Sequence, residues 1–226
     1  MRTEINEGTG LQYVTVVPDE YTPDSTYPLV IMLHGFGANM RDLAGLAPAI
    51  NDTGYVYACP NAPIPFELGP GQTGFGWMTP RGGGSAEETE NSVKLLGDFF
   101  DTVLQQFNVA PGQALLMGFS QGGGMTYRCG LGRAEHFAGL AALSATLPDE
   151  EELKSLLPQE RNQPIFIGHG RFDQMVTDDT AQSAKSFLES NGYSPDFHIY
   201  DMAHEISGEE LSDLVPWIAK VLPPKE

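Results

Sequence analysis

The sequence predicts an α/β fold: a mostly parallel central sheet with helices on both faces. Three observations carry that expectation. Apolar strand-like runs alternate with helix-period segments along the chain, which is the sequence form of parallel βαβ units. Several runs, among them Leu29–His34 and Ala114–Phe119, are continuously apolar, as strands buried on both faces are. Gly118-Phe119-Ser120-Gln121-Gly122-Gly123 then stands between such a run and a helix-like stretch, so a sharp strand–turn–helix junction is expected there.

The expected strands are Leu11–Val17, Leu29–His34, Tyr55–Cys59, Ala114–Phe119, Phe137–Ser144, Ile165–His169 and Asp196–Tyr200. The clearest helix lies between Ala86 and Phe107. Its residues Val93, Leu96, Phe100, Val103 and Phe107 step by three and four onto one face, and Ser85 with Glu88 makes a capping box at its start. Thr177–Asn191, stopped by Gly192, reads as another helix. The last helix opens on a second capping box, Ser207 with Glu210. It carries Leu211, Leu214, Val215, Ile218 and Leu222 inward, with a kink expected at Pro216.

Between Pro60 and Gly84 the pattern gives a long loop without regular structure. Loops of that length are functional or disordered, and Phe66, Leu68, Phe75, Trp77 and Met78 make this one too aromatic for disorder. It is expected to fold over the sheet edge and line an acyl or alcohol pocket. The same side chains would otherwise serve as core cover or as a homodimer interface. Gly69-Pro70-Gly71 and Gly82-Gly83-Gly84 are not phosphate loops, because they lack the Gly-Lys-Ser/Thr ending.

With 226 residues, 41% of them hydrophobic, the chain is expected to form a single domain over residues 1–226. No run approaches the roughly 18 apolar residues of a membrane helix. Met1 to Gly10 is polar, without the basic-then-apolar plan of a secretory leader, so a cytoplasmic location is expected. Thirty acidic and 12 basic side chains give a net charge of −18, which repels phosphate backbones and anionic membranes and argues against nucleic-acid partners. That acidity serves solubility or, alternatively, adaptation to high salt. Cys59 and Cys129 lack Cys-x-x-Cys partners and are expected as buried thiols, with no metal or redox role.

Ligands of such sheets bind at the carboxyl ends of the strands. The residues found there are His34-Gly35-Phe36-Gly37, Pro60-Asn61-Ala62-Pro63, Ser120, His169-Gly170-Arg171-Phe172-Asp173 and Asp201-Met202-Ala203-His204. Gly-x-Ser-x-Gly after a strand is a nucleophile elbow, which exposes Ser120 above the sheet edge. A serine hydroxyl needs an imidazole to take its proton, and the imidazole needs a carboxylate to fix its tautomer. The order Ser120, Asp173, His204 supplies all three. His34 and His169 sit in His-Gly turns and are expected to brace loops, His136 lies on a connection, and His198 lies inside a strand. Asp178 and Asp179 suit a helix start, and Asp201 is too close in sequence to His204 to orient it. The backbone N–H groups of Gln121 and Phe36 are the expected donors to a developing oxyanion.

These residues resemble the phospholipase/carboxylesterase family of α/β-hydrolases, which includes small bacterial carboxylesterases and acyl-protein thioesterases. The resemblance rests on Leu33-His34-Gly35-Phe36-Gly37 with Asp42, Pro60-Asn61-Ala62-Pro63, Trp77, Gly118-Phe119-Ser120-Gln121-Gly122-Gly123, His169-Gly170, Asp173, Val176 and His204. It implies cofactor-free hydrolysis of small-molecule carboxylic esters or thioesters, often of short to medium acyl length. Ser120, Asp173 and His204 would be the triad, and Phe36 and Gln121 the oxyanion hole. The chain departs from the family pattern at Met78-Thr79-Pro80, where an acid is usual after the tryptophan. It departs again at Thr177, where proline is usual, and at Phe36, where leucine is common. These departures bear on substrate preference and leave the triad intact.

Overall fold

In a computed structural model of the chain, which describes residues 1–8, 10–80 and 84–226, alternate residues of the apolar runs feed two separate cores. Leu29, Ile31, Leu33, Ala114 and Leu116 point to one side of the sheet, and Val30, Met32, Leu115 and Met117 to the other. That double burial is why these runs lack polar alternation.

The elements follow in order: β1 (Arg2–Gly8), β2 (Leu11–Val17), β3 (Leu29–Leu33), a 3-10 turn (Leu43–Leu46) leading into α1 (Ala47–Ile50), β4 (Val56–Pro60), β5 (Ile64–Gly69) and β6 (Gln72–Gly76). Then come α2 (Ala86–Gln106), β7 (Ala114–Phe119), α3 (Gln121–Gly130), β8 (Phe137–Leu143), α4 (Glu150–Leu156), β9 (Ile165–Gly170), α5 (Asp178–Ser190), β10 (Asp196–Tyr200) and α6 (Gly208–Val221). Eight strands form one sheet in the order β1-β2-β4-β3-β7-β8-β9-β10. From β4 to β10 every pairing is parallel, while β1 and β2 close the first edge antiparallel. Helices cover both faces: Leu96, Phe99, Ala184 and Leu188 of α2 and α5 fill one core, and Ala47, Leu214 and Ile218 of α1 and α6 fill the other. Among the described residues no helix is long and apolar enough to cross a membrane.

Each expected capping box forms only by half: Ser85 Oγ accepts from Glu88 N–H and Ser207 Oγ from Glu210 N–H, each at 3.1 Å, while the Glu88 carboxylate turns to Thr79 N–H at 3.0 Å and the Glu210 carboxyl turns into the core. α6 continues through Pro216. Several elements escape the sequence pattern, the 3-10 turn and α1 among them. β1 is exposed along nearly its whole length, so it has no apolar period. It is held by backbone pairing to β2 from Arg2↔Val17 to Gly8↔Leu11. α4 is a short acidic helix burying only Leu153.

The hairpin is a correction. The segment 60–84 is not structureless: Pro60 ends β4, and β5 and β6 pair antiparallel as a separate hairpin. Pro65 and the glycines at 69, 71, 74 and 76 suppress its strand signature. The triple-glycine stretch expected at its end lies partly outside the described residues, at 82–83.

Candidate active site

β7 delivers Ser120 to the mouth of α3 in a backbone conformation that only the turn enforces. Its φ is 55° and its ψ −118°, a region non-glycine residues rarely occupy and that costs of order 1–3 kcal/mol. Two hydrogen bonds hold it there: Ser120 N–H donates to Leu143 O at 2.8 Å, and Gly124 N–H donates to Ser120 O at 3.1 Å. The glycines around it are steric necessities. A Cβ on Gly122 would overlap the Leu33 carbonyl oxygen, and one on Gly118 would overlap the Gly122 carbonyl. Backbone atoms cannot swing aside, so Gly122→Ala is expected to destabilise the protein by about 3 kcal/mol or more, read as a lowered urea midpoint at unchanged m-value.

Three strand ends converge on the serine. The Ser120 hydroxyl donates to His204 Nε2 at 2.9 Å, and His204 Nδ1–H donates to Asp173 Oδ2 at 2.6 Å. An ionised carboxylate only accepts, so this bond places the ring proton on Nδ1 and leaves Nε2 as the acceptor. The other oxygen, Asp173 Oδ1, accepts from Met175 N–H and Val176 N–H, both at 2.9 Å. The carboxylate is completely buried, while the imidazole keeps 18% of its side-chain surface open. The Phe119 ring, 4.8 Å from the His204 ring, closes one side of the imidazole.

The neighbouring histidines have other work. His169 is buried beneath the loop that carries Asp173, where Nε2–H donates to Val176 O at 2.8 Å and so fixes the turn whose amides hold the acid. His34 donates from Nδ1 to Gly35 O at 2.7 Å and accepts at Nε2 from Ala62 N–H at 3.0 Å. Burial lowers its pKa to about 4, so it stays neutral and ties the Gly35–Gly37 turn to the turn after β4. His136 sits beside Glu135, and His198 stacks between Phe166 and Tyr200, both away from Ser120. Asp178 and Asp179 occupy the first turn of α5, and Asp201 pairs with Arg171.

Phe36 and Gln121 flank the serine. Gln121 opens α3, where an N–H finds no partner in its own helix, and Phe36 N–H makes no hydrogen bond among the described residues. A Cβ on Gly35 would come within 3.3 Å of Ser120 Cβ, so the turn bearing Phe36 lies directly against Ser120.

The hairpin is fastened to that turn. Gly37 N–H donates to Phe75 O at 2.8 Å, and Phe75 N–H donates to Ala38 O at 2.9 Å. Phe66 packs edge-on to Phe36, with ring centroids 4.7 Å apart. Leu68 stands outward, 48% exposed. Trp77, expected in a pocket wall, is instead fully buried, and its indole N–H donates to His34 O at 2.9 Å. Met78 is half-buried against the core and offers its carbonyl to Gln121.

That last contact reveals what sequence reasoning missed. The Gln121 side chain accepts from Trp77 N–H at 2.7 Å and donates to Met78 O at 2.8 Å, so it clips the segment after the hairpin to the elbow. An amide presents an acceptor oxygen and a donor nitrogen side by side, which is a physical reason for glutamine after the serine. Phe172 and Met175, 59% and 76% exposed on either side of Asp173 in the chain, also went unread. Their signal was available: large apolar residues beside a strand-end acid.

The chain is similar in sequence and in fold to known proteins. Residues 18–222 match the family model described as phospholipase/carboxylesterase. The chain is 29% identical over 214 residues to acyl-protein thioesterase 1 of Aspergillus fumigatus, covering 87% of this chain and 89% of that one. It is 33% identical over 114 residues, half of each chain, to carboxylesterase SOBER1 of Arabidopsis thaliana. The crystal structure of esterase PE8 superimposes with a TM-score of 0.80 at 23% identity, covering 92% of this chain and 97% of the other, a likeness of fold. With the family model spanning nearly all of its length, the chain belongs to the phospholipase/carboxylesterase family and is an α/β-hydrolase acting on carboxylic ester bonds.

Proposed function

We propose that the chain hydrolyses short- to medium-chain carboxylic esters through an acyl-enzyme on Ser120. The observation that carries this is the hydrogen-bonded line from Ser120 Oγ through the His204 ring to Asp173, at 2.9 and 2.6 Å. Ser120 Oγ attacks the ester carbonyl carbon as His204 Nε2 takes the hydroxyl proton. Asp173 holds the resulting imidazolium in place. The Phe36 and Gln121 amides donate to the oxyanion, each worth about 2.7–4 kcal/mol in the transition state. The carbon–oxygen bond to the alcohol then breaks, and the alcohol leaves with the proton from His204. Water repeats the sequence, giving its proton to His204, and the carboxylic acid departs as Ser120 is regenerated.

Phe36, Leu68, Phe172 and Met175 are exposed apolar side chains on the turns around this centre, and they suit the acyl part of a neutral ester. The net charge of −18 disfavours highly anionic substrates. Buried free thiols at Cys59 and Cys129 support a cytoplasmic setting. Burial pushes the Cys129 thiol up to about 12, so it is unreactive. A second reading, thioester hydrolysis, has the name of the Aspergillus relative in its favour.

One experiment tests both readings. p-Nitrophenyl esters and matching thioesters of increasing acyl length are turned over, acid-quenched, and the peptides weighed. The expected result is an acyl adduct on the peptide bearing Ser120, with rates highest for short to medium oxygen esters. Turnover without any such adduct sinks the mechanism. Faster thioesters at every length replace the first reading with the second.

A further inference from the structure

The cavity that stands out lies away from the triad, on the face built by α2, α3 and α4. It encloses about 590 Å³, within the range of small-molecule sites. Lys94, Arg128 and Arg133 all line it, although the chain has only 12 lysines and arginines against 30 acids. Their states differ. Arg128 is neutralised by a two-pronged bond to Glu152, at 2.6 and 2.7 Å. Lys94 pairs with Asp98 and remains 72% exposed. Arg133 has no carboxylate partner among the described residues.

Arg133 is nonetheless held rigidly. Nη1 donates to Cys129 O at 2.9 Å, and the guanidinium lies 5.8 Å from the centre of the Phe100 ring. Gly97 makes room for it: a Cβ there would come within 3.0 Å of Arg133 Nη2. Glycine inside a helix as long as α2 costs about 1 kcal/mol relative to alanine, and the close approach of the guanidinium accounts for its presence. A guanidinium fixed in this way is a fork for a planar anion, and little side-chain entropy remains to be lost on binding.

The geometry points to this cavity as a binding site for a monocarboxylate with an apolar body, such as an aliphatic acid. The carboxylate sits on the free edge of Arg133 within reach of the exposed Lys94 ammonium. The body lies along Val93 and Leu156, the latter 37% exposed. The remaining charged groups set the ligand's charge. Besides Glu152, which is taken up by Arg128, Glu90 and Glu135 line the cavity, and His136 stands beside Glu135. Those carboxylates repel a phosphate dianion more strongly than a single negative charge.

The test is a titration of the full chain followed by two-dimensional amide shifts, with hexanoate, hexanol and inorganic phosphate as probes. Hexanoate is expected to move amides in α2 and at the end of α3 in a saturable way. Hexanol and phosphate should bind at least about tenfold more weakly. Arg133→Gln should weaken hexanoate by about tenfold or more, and so should Leu156→Glu, which sets a like charge on the apolar wall and leaves the Arg133 packing untouched. The same spectra report whether each variant is folded. Shifts confined to the surroundings of Ser120 and His204 overturn the proposal. So does phosphate binding as tightly as hexanoate, or unchanged affinity in folded Leu156→Glu.

Discussion

Ser120→Ala is expected to lower kcat for ester hydrolysis by on the order of 10⁶-fold, and Asp173→Asn by on the order of 10⁴-fold, with both proteins folded. Alanine keeps the Cβ that the strained turn already accommodates at φ 55°, so only the nucleophilic oxygen is lost. The asparagine case follows from hydrogen-bond polarity. Asp173 Oδ1 accepts from Met175 and Val176 N–H, so in Asp173→Asn the amide oxygen would take that side and the NH₂ would face His204 Nδ1. Two N–H groups cannot share a hydrogen bond at 2.6 Å, so the ring proton moves to Nε2. Nε2 then donates where it must accept, and the Ser120 proton has nowhere to go. Because the residues act as one unit, the double variant should be no slower than Ser120→Ala alone. Steady-state rates on a p-nitrophenyl ester, with circular dichroism to confirm folding, check all three. Asp173→Asn within about tenfold of the parent would remove Asp173 from the mechanism.

That the meeting of Ser120, His204 and Asp173 was legible in the sequence has a structural cause. In a parallel sheet every strand ends at the same edge, so reactive residues placed just after apolar runs must meet there. Leu11–Val17, Ala114–Phe119 and Asp196–Tyr200 are strands with the expected bounds, three others differ by a residue at one end, and the strand expected at Tyr55–Cys59 is shifted by one to Val56–Pro60. What stayed hidden is held together by contacts that leave no periodic trace. The β5–β6 hairpin owes its place to backbone bonds between Gly37, Ala38 and Phe75 and to the absence of a Cβ at Gly74, which lies against the Gly37 carbonyl, and neither leaves an apolar period. β1 is an exposed edge strand for the same reason. Gln121 announced itself only as a residue next to the serine. Its bonds to Trp77 N–H and Met78 O depend on a segment more than 40 positions earlier, whose path the sequence does not give. Trp77 shows the opposite failure: an aromatic residue in a functional loop reads as pocket wall, yet its indole is buried against the His34 carbonyl.

Glu210 is a residue whose cost the sequence conceals entirely, and it supports the second large prediction. Its N–H donates to Ser207 Oγ at the start of α6, the half of a capping box that makes glutamate suit the position by pattern. Its carboxyl, however, is fully buried against β9, and neither oxygen has a hydrogen-bond partner among the described residues. Gly168 leaves the space it fills, since a Cβ there would collide with the carboxyl. Burial pushes the Glu210 pKa from an ordinary 4.5 up to about 8. Between those values the folded chain keeps a proton that the unfolded chain releases, so stability must fall as pH rises from about 4.5 to about 8, and the penalty levels off above that. The full penalty is on the order of 5 kcal/mol. Glu210→Gln has no proton to lose, so its stability curve should lack this slope and cross the parent's, leaving the variant the more stable protein at pH 9. Tyr200 bonded to Asp213, and His198 near Asp196 and Asp213, are the titrating groups around it, and they are common to both proteins and cancel in the comparison. Urea midpoints taken between pH 5 and pH 9 decide the matter: parallel curves would mean that the Glu210 carboxyl is paired or hydrated in solution. The position matters for the site as well. The chain from His204 to Ser207 leads directly into the turn that Glu210 anchors, so forcing a charge into that seat at alkaline pH loosens the segment carrying the imidazole, and Glu210→Gln should hold its ester turnover to higher pH than the parent does.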